Sequence, residues 1–471
     1  MFFKHYGVNP TIDTAEEAFS TFGIDVDTAS YSLVRSYLER GAMPPDEAVR
    51  VEEIVNAFDY GYEPPADAAF SVQAEAFPSP NRKGYHVLHI GLRGMDVSAA
   101  ARKPANLVFV IDVSGSMAME NRLGLVKKSL RLLVGELGEG DSVGIVAYGT
   151  TARVVLEPTS ADRKDAILGA IEGLQTEGST NAEAGLRVGY QMAASHLRPG
   201  GVNRLILCTD GVANTGATSA AQILAAVKEQ ADRGITIATV GFGMGNYNDV
   251  LLEQLADKGN GNYHYVDKLD EARRVFVENL TGTLQVIAKD VKIQVEFDPR
   301  SVQRYRLLGY ENRGLEKRDF DNDRVDAGEI GAGHAVTALY EVKLASEAGS
   351  LGKLRIRFKP PEGSESQLIL RELSHDIVRG SLADITAPAR LSLVAAGFAE
   401  KLRGSYWARN LGYDTLAAEF ERIDPSLRAR PEVAELGTLI KRARELDQRG
   451  DRFEPELPIA KMDFDRIPVL K

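Results

Sequence analysis

The chain has 471 residues, 44% hydrophobic and 26% charged, which is typical of a globular protein with roughly two to four domains. Its 56 Lys and Arg against 67 Asp and Glu give a net charge of −11, which argues against a nucleic-acid surface because such surfaces are basic. The sequence has no apolar run of about 18 residues, so no membrane-spanning helix is expected.

The first 104 residues form an N-terminal flank in which helical and strand patterns alternate without completing a sheet. The predicted elements are, in chain order, a short strand at 20–27, helices near 30–39 and 49–58, and strands near 69–76 and 85–92. A turn rich in Pro, Asn and Gly joins the last two strands.

Residues 105–287 change to apolar strands that alternate with amphipathic helices. This alternation predicts an α/β fold with a doubly wound, mostly parallel sheet covered on both faces. Strands are predicted at 107–111, 142–148, 205–208, 235–240 and 263–266, and helices near 123–137, 162–174, 182–196, 220–233, 249–258 and 269–287. An additional strand at 153–156 is expected as the antiparallel edge.

Residues 288–378 return to a strand pattern. Val291–Phe297 alternates strictly between apolar and polar residues, so one face of this strand is expected to be buried. Further strands fit near 302–308, 335–343 and 352–358. We expect the two flanks to pair into one β-rich domain in which the α/β domain is inserted, followed by a C-terminal helical region at 379–471.

Five oxygen-bearing side chains follow the ends of predicted strands in the α/β domain. The first strand ends in Asp-x-Ser-x-Ser, formed by Asp112, Ser114 and Ser116. Thr180 precedes a predicted helix, and Asp210 follows a buried strand. Ligands of doubly wound sheets bind at the carboxyl ends of the strands, and Mg²⁺ prefers hard oxygen donors. The sequence therefore predicts a magnesium site; the alternative is that the two aspartates only cap turns.

These three segments resemble the metal-ion-dependent adhesion site of von Willebrand factor type A (vWA) domains, with all five positions filled. The resemblance implies that Ser114 and Ser116 bind the metal directly, that Thr180 joins them in the ligand-bound form, and that Asp112 and Asp210 often act through water. It also implies Mg²⁺, with Mn²⁺ or Ca²⁺ as substitutes, and a protein partner whose acidic side chain completes the coordination. A non-enzymatic, metal-dependent adhesion or protein-binding function is expected.

The flanks at 21–31, 50–58 and 326–334 resemble bacterial YfbK-like vWA proteins, so the resemblance covers nearly the whole chain. Many members of this family are predicted envelope lipoproteins. The beginning of this sequence lacks the apolar core of a signal peptide, and its one cysteine, Cys208, lies in an apolar run rather than a lipobox. A cell-envelope location, with a lipid anchor upstream, is expected from the resemblance; a cytoplasmic location is the alternative.

Two other functions stay open as alternatives. One is an intracellular vWA assembly factor for a multiprotein complex, and the other is a metal-dependent phosphoesterase, for which the sequence offers no visible general base. The glycine-rich segment 241–245 lacks a complete dinucleotide-binding pattern and is predicted as a tight turn. The acidic segment 319–323 begins like a calcium-binding loop, but Arg324 replaces the required glycine, so a solvated loop is expected.

Overall fold

The fold is taken from a computed structural model that describes residues 3–24, 26–211, 220–244, 248–279, 282, 284–325, 327–345, 349–363 and 365–450. Asp25, Gly245, Asp326 and the last part of the predicted helical region, 451–471, belong to segments discussed above and lie outside the described residues.

The strands and α-helices of the described residues have the following bounds. Strands β1 to β17 are Ile12–Asp13, Phe19–Gly23, Phe70–Pro78, His86–Gly94, Ala105–Asp112, Ser142–Tyr148, Ala152–Ser160, Val202–Thr209, Ile235–Phe242, Tyr263–Val266, Val286–Phe297, Val302–Leu308, Gly314–Leu315, Ile330–Gly331, Ala335–Leu344, Gly352–Lys359 and Gln367–Leu373. Helices α1 to α12 are Ala29–Glu39, Val51–Val55, Arg122–Glu136, Lys164–Glu172, Ala182–Ser195, Ala220–Asp232, Asp249–Lys258, Leu269–Arg273, Ala387–Leu402, Tyr413–Glu421, Pro425–Arg428 and Pro431–Leu446.

The α/β unit contains one sheet with the strand order β10-β9-β8-β5-β6-β7. All neighbouring pairs are parallel except β6 with β7, which confirms the predicted antiparallel edge. Every residue of β5 is buried because the sheet is covered on both faces. One face packs against α3, α4 and α8, and the other against α5, α6 and α7. Cys208 is buried in the first of these cores.

The two flanks pair with each other, as predicted. Strand β4 from the N-terminal flank pairs with β15, and β2 pairs with β11, both antiparallel. The resulting sheets have the orders β1-β12-β15-β4-β3 and β13-β2-β11-β16-β17. Apolar side chains from both sheets form a single core, to which Ile90 and Ile293 contribute. The α/β unit is therefore inserted between strands of a β-rich unit.

The helices at the two ends of the chain share a core, which the sequence did not indicate. Val34 of α1 and Ile54 of α2 belong to the same buried cluster as Leu391 of α9 and Leu436 of α12. The described helices of the C-terminal region therefore pack on the N-terminal flank. None of the helices in the described part of the chain has the length and apolar character needed to cross a membrane.

The predicted helix at 269–287 is shorter in the structure. Helix α8 ends at Arg273, continues as a π-helical turn at Arg274–Glu278, and β11 already begins at Val286. The register of β11 against β16 shifts between Lys289 and Lys292, and Asp290 has a positive φ of 49°. This bulge interrupts the alternation of side chains, so the sequence pattern revealed only the part of the strand after it.

Candidate metal centre

The predicted site lies where the strand connections of the α/β sheet diverge. After β5 the chain continues to β6 on one side, whereas β8 lies on the other side of β5. Strands β5 and β8 are parallel, with Ile111 opposite Cys208, so the segments that follow them emerge at the same edge. Asp112 and Asp210 are thereby brought to one crevice, as expected for a ligand site in a doubly wound sheet.

A chain of hydroxyl and carboxylate oxygens crosses this crevice. The hydroxyl oxygens of Ser114 and Ser116 are 3.1 Å apart, and Ser116 Oγ donates to Asp210 Oδ1 at 3.0 Å. Ser114 is almost fully buried, whereas Ser116 is partly exposed. Side chains that are 94 residues apart therefore meet at the surface of the crevice.

Asp112 forms the buried floor of the site. Its Oδ1 accepts from the backbone N–H of Ser114 at 2.8 Å, and its Oδ2 lies 2.8 Å from the hydroxyl of Thr209. Burial raises the pKa of Asp112 to about 6, with a further rise from the nearby charge of Asp210, although the hydrogen bonds from Ser114 and Thr209 oppose this rise. A cation at this edge would favour the ionised carboxylate.

The loop that carries Thr180 packs against the Asp-x-Ser-x-Ser segment. The backbone N–H of Glu177 donates to Val113 O at 2.5 Å, and that of Gly115 donates to Gly178 O at 3.1 Å. Asn181 then caps α5 by accepting from Ala184 N at 3.0 Å. These bonds place the partly exposed Thr180 on a loop beside the serines. That Thr180 binds a metal stays a prediction.

Thr209 and Arg122 are two polar groups of the site that were missed in the sequence. The Arg122 guanidinium donates from Nη1 to Asp210 Oδ2 at 2.6 Å, and both side chains are 5% exposed. Its Nη2 donates to the carbonyl oxygen of Met244. Arg122 begins α3, and nothing in the sequence near it indicates that its side chain reaches Asp210.

The donor groups fit a hard divalent cation. Two carboxylates and two serine hydroxyls meet at one edge of the sheet, and such oxygens are the ligands that Mg²⁺ prefers. Among the described residues, no group of three or more His, Cys, Asp or Glu is arranged to hold a metal. Hydroxyl oxygens and water would therefore have to complete the coordination, and these are hard ligands like the carboxylates.

The acidic loop at 319–323 is held by its own neighbours. Asp323 Oδ1 accepts from Ser366 Oγ at 2.5 Å and from Arg357 Nη2 at 3.0 Å. The hydrogen bond from Ser366 is the largest influence that holds the pKa of Asp323 below its usual range. Since a guanidinium already balances this carboxylate, the contacts favour the interpretation as a solvated acidic loop over a calcium site.

Comparisons with known proteins cover most of the chain. Family models match at residues 1–89 (von Willebrand factor), 106–280 (von Willebrand factor type A domain) and 282–352 (C-terminal region of the uncharacterized protein YfbK). The chain is 39% identical over 445 residues to the uncharacterized protein YfbK of Escherichia coli (strain K12), which covers 88% of this chain and 76% of that protein.

More distant similarity extends to an animal protein and to a solved structure. The inter-alpha-trypsin inhibitor heavy chain H4 of Homo sapiens is 28% identical over 186 residues, which is 38% of this chain and 19% of that protein. A solved structure of a von Willebrand factor type A protein from Catenulispora acidiphila has 18% identity and a TM-score of 0.46, and covers 80% of this chain and 89% of that one.

Proposed function

The chain belongs to the YfbK family of proteins with a von Willebrand factor type A domain, and from this we propose that it binds a protein partner through Mg²⁺. The vWA domain is a general protein-interaction and adhesion module. In our proposal Asp112, Ser114, Ser116, Thr180 and Asp210 hold the metal, with Mn²⁺ or Ca²⁺ as substitutes. An acidic side chain of the partner completes the coordination.

The contact of Ser116 with Asp210 is the observation that carries this proposal. It joins the segment after β5 to the segment after β8 at 3.0 Å, at the edge where ligands of such sheets bind. Ser116 is also partly exposed, so a metal held beside it can be reached by a second protein. Mg²⁺ takes six oxygen ligands, and the side chains of this site leave part of that coordination open to water or to a carboxylate oxygen of a partner.

We further propose that this site is not an enzyme active site. In the described residues, the groups that hydrogen-bond to Asp112 and Asp210 are a backbone amide, hydroxyls and a guanidinium. None of these groups is a general base, so a phosphoesterase at this site would have to rely on the metal or on Asp112 itself to deprotonate water. Phosphatase assays on wild type with and without chelator test this point, and metal-dependent turnover abolished by Asp112→Asn would contradict it.

Metal titration of variants tests the proposed function. Calorimetry with Mg²⁺ and Mn²⁺ should show binding to the wild-type protein, and binding at least about tenfold weaker to Asp210→Ala, because a charged ligand has been removed. Asp165→Ala, which removes an exposed aspartate at the start of α4, is the matched control and should bind like wild type. Equal affinity of Asp210→Ala and wild type would contradict the metal site.

Partner capture tests the second half of the proposal. Proteins retained by wild type in Mg²⁺, but lost in chelator and lost with Asp210→Ala, are the expected partners. We propose a cell-envelope location for this interaction, on the basis of the family resemblance alone. Cell fractionation distinguishes it from an intracellular assembly factor, for which the chain would be found with a cytoplasmic complex.

A further inference from the structure

The guanidinium of Arg122 already occupies one side of the candidate metal centre. Asp210 uses its two oxygens differently: Oδ1 accepts from Ser116 at 3.0 Å, and Oδ2 accepts from Arg122 at 2.6 Å. Both partners of the ion pair are 5% exposed, so water screens this interaction weakly. The chain thus provides its own permanent positive charge next to the oxygens that are proposed to hold a cation.

Contacts on the other side of Arg122 hold it in this position. Its Nη2 donates to the carbonyl oxygen of Met244, in the loop after β9. Gly243, in the same loop, has a φ of +75°, and a Cβ atom built there would overlap the Arg122 side chain. The glycine thereby allows the loop to approach the guanidinium closely. The loop between β9 and α7 therefore holds the Arg122 side chain through contacts that do not involve Asp210.

The charges of the site predict two opposite effects of this arginine. Because the two aspartates together neutralise a divalent cation, Arg122 leaves the loaded site with a net positive charge. The same guanidinium repels the metal before any ligand has bound. The positive charge of Arg122 therefore weakens the binding of free metal, and it strengthens the subsequent binding of an anionic ligand to the metal-loaded site.

We propose that Arg122 is a positioning and specificity residue, which keeps metal affinity low in the free protein and makes the metal-loaded site selective for carboxylate ligands. This inference rests on the proposed function, because it concerns the same metal centre. It also gives a function to the hydrogen bond between Arg122, at the start of α3, and Met244, in the loop between β9 and α7. The five proposed metal-binding residues do not account for this contact. Metal and acidic partner would then bind cooperatively, each raising the affinity for the other.

The test measures both steps with simple probes. Binding of Mn²⁺ is measured by calorimetry and by electron paramagnetic resonance, and binding of acetate to the Mn²⁺-loaded protein is measured by water-proton relaxation. Arg122→Gln should bind Mn²⁺ about tenfold more tightly than wild type and acetate about tenfold more weakly. Arg122→Lys retains the charge and should restore both affinities to near the wild-type values.

Controls separate the charge effect from damage to the fold. Arg131→Gln changes an exposed arginine of the same helix, which pairs with Glu172, and should leave both affinities unchanged. Gly243→Ala should displace the guanidinium and tighten Mn²⁺ binding as Arg122→Gln does. A purely structural role of Arg122 would weaken both steps together, and that result would overturn the inference.

The outcomes also distinguish this inference from the proposed function. If wild type binds Mn²⁺ and Asp210→Ala does not, but Arg122→Gln fails to bind Mn²⁺ more tightly, only the role of Arg122 is wrong. If wild type does not bind Mn²⁺ at all, the metal-dependent function and the role of Arg122 are both wrong.

Discussion

Arg35 of α1 forms a bidentate ion pair with Asp267, donating from Nε to Oδ2 at 2.9 Å and from Nη2 to Oδ1 at 2.5 Å. The same guanidinium reaches Glu271 of α8 at 3.0 Å and Glu435 of α12 at 2.9 Å. Arg35 is 1% exposed. One buried side chain therefore ties the N-terminal flank and the C-terminal helices to the end of the α/β unit, just before its last helix.

Removal of one charge from this network should destabilise the protein. Asp267→Asn leaves the buried guanidinium partly uncompensated, and we expect a loss of about 2 kcal/mol in the free energy of unfolding, measured by urea denaturation. Asp165→Asn, at an exposed position of α4, should stay within about 0.5 kcal/mol of wild type. Equal unfolding midpoints for the two variants would contradict a stabilising role of the pair.

His89 should make stability depend on pH. It is buried between the hydroxyls of Tyr62, 3.0 Å from Nε2, and Ser392, 2.8 Å from Nδ1. Burial lowers the pKa of His89 to about 4. Between about pH 6.5 and pH 4 the unfolded chain therefore binds a proton that the folded chain does not, so this contribution to stability is lost as the pH falls, by up to about 1.4 kcal/mol per pH unit.

Unfolding experiments across this pH window check the assignment to His89. The difference in stability between wild type and His89→Gln should shrink as the pH falls from about 6.5 to about 4, and should stay constant at higher pH. His196→Gln, which replaces an exposed histidine beyond the end of α5, is the control for the loss of an imidazole. A stability difference that is the same at both ends of the window would show that His89 does not titrate there.

Protons should compete with the metal at Asp112. Its pKa is raised to about 6, so the free protein gains a proton there as the pH falls through this value. Because a cation favours the ionised carboxylate, Mg²⁺ affinity should be about tenfold weaker at pH ~5 than at pH ~8, and nearly constant above pH ~7. Calorimetry in buffers of equal ionic strength measures this change. Asp112→Asn should lose the pH dependence together with most of the affinity.

Two glycines offer a matched pair of substitutions. A methyl group on Gly149 would overlap the carbonyl oxygen of Glu177, so the loop bearing Thr180 would have to move. Gly149→Ala should cost about 2 kcal/mol of stability and weaken Mg²⁺ binding. Gly169, in α4, has open space around the position of a Cβ atom, and Gly169→Ala should stabilise the helix by about 0.5–1 kcal/mol with unchanged metal affinity.

The strands and helices of the α/β unit could be predicted because their signals are local. Helix α7 has the bounds expected from its apolar spacing, Asp249–Lys258, and β10 those of its short apolar run, Tyr263–Val266. Strand β17 was missed since it lies at a sheet edge with most of its side chains exposed, which removes the alternation that identified β11.

Only part of the candidate site could be predicted from the sequence, for a related reason. Asp112 and Asp210 directly follow apolar strands, and parallel strands bring such positions together. The pairing of Arg122 with Asp210 joins residues 88 positions apart, and it depends on the direction of one long side chain. No local pattern encodes such a contact. The shared core of α1 and α12 is even less local, and it became visible only in the fold.

The insertion of the α/β unit has a mechanical consequence. The chain leaves the β-rich unit at Gly94, the last residue of β4, and returns to it at Val286, the first residue of β11. The α/β unit lies between these two points and begins with β5. Helices α1 and α12 contact each other directly in their shared core. A force applied between these two helices is therefore transmitted by that core and not along the chain through the inserted sheet. A pull from a partner bound at the proposed site would instead reach the flanks through the two connecting segments, through the ion pairs of Arg35 and Arg50 with the α/β unit, and through Leu33 of α1, which packs in the core of that unit.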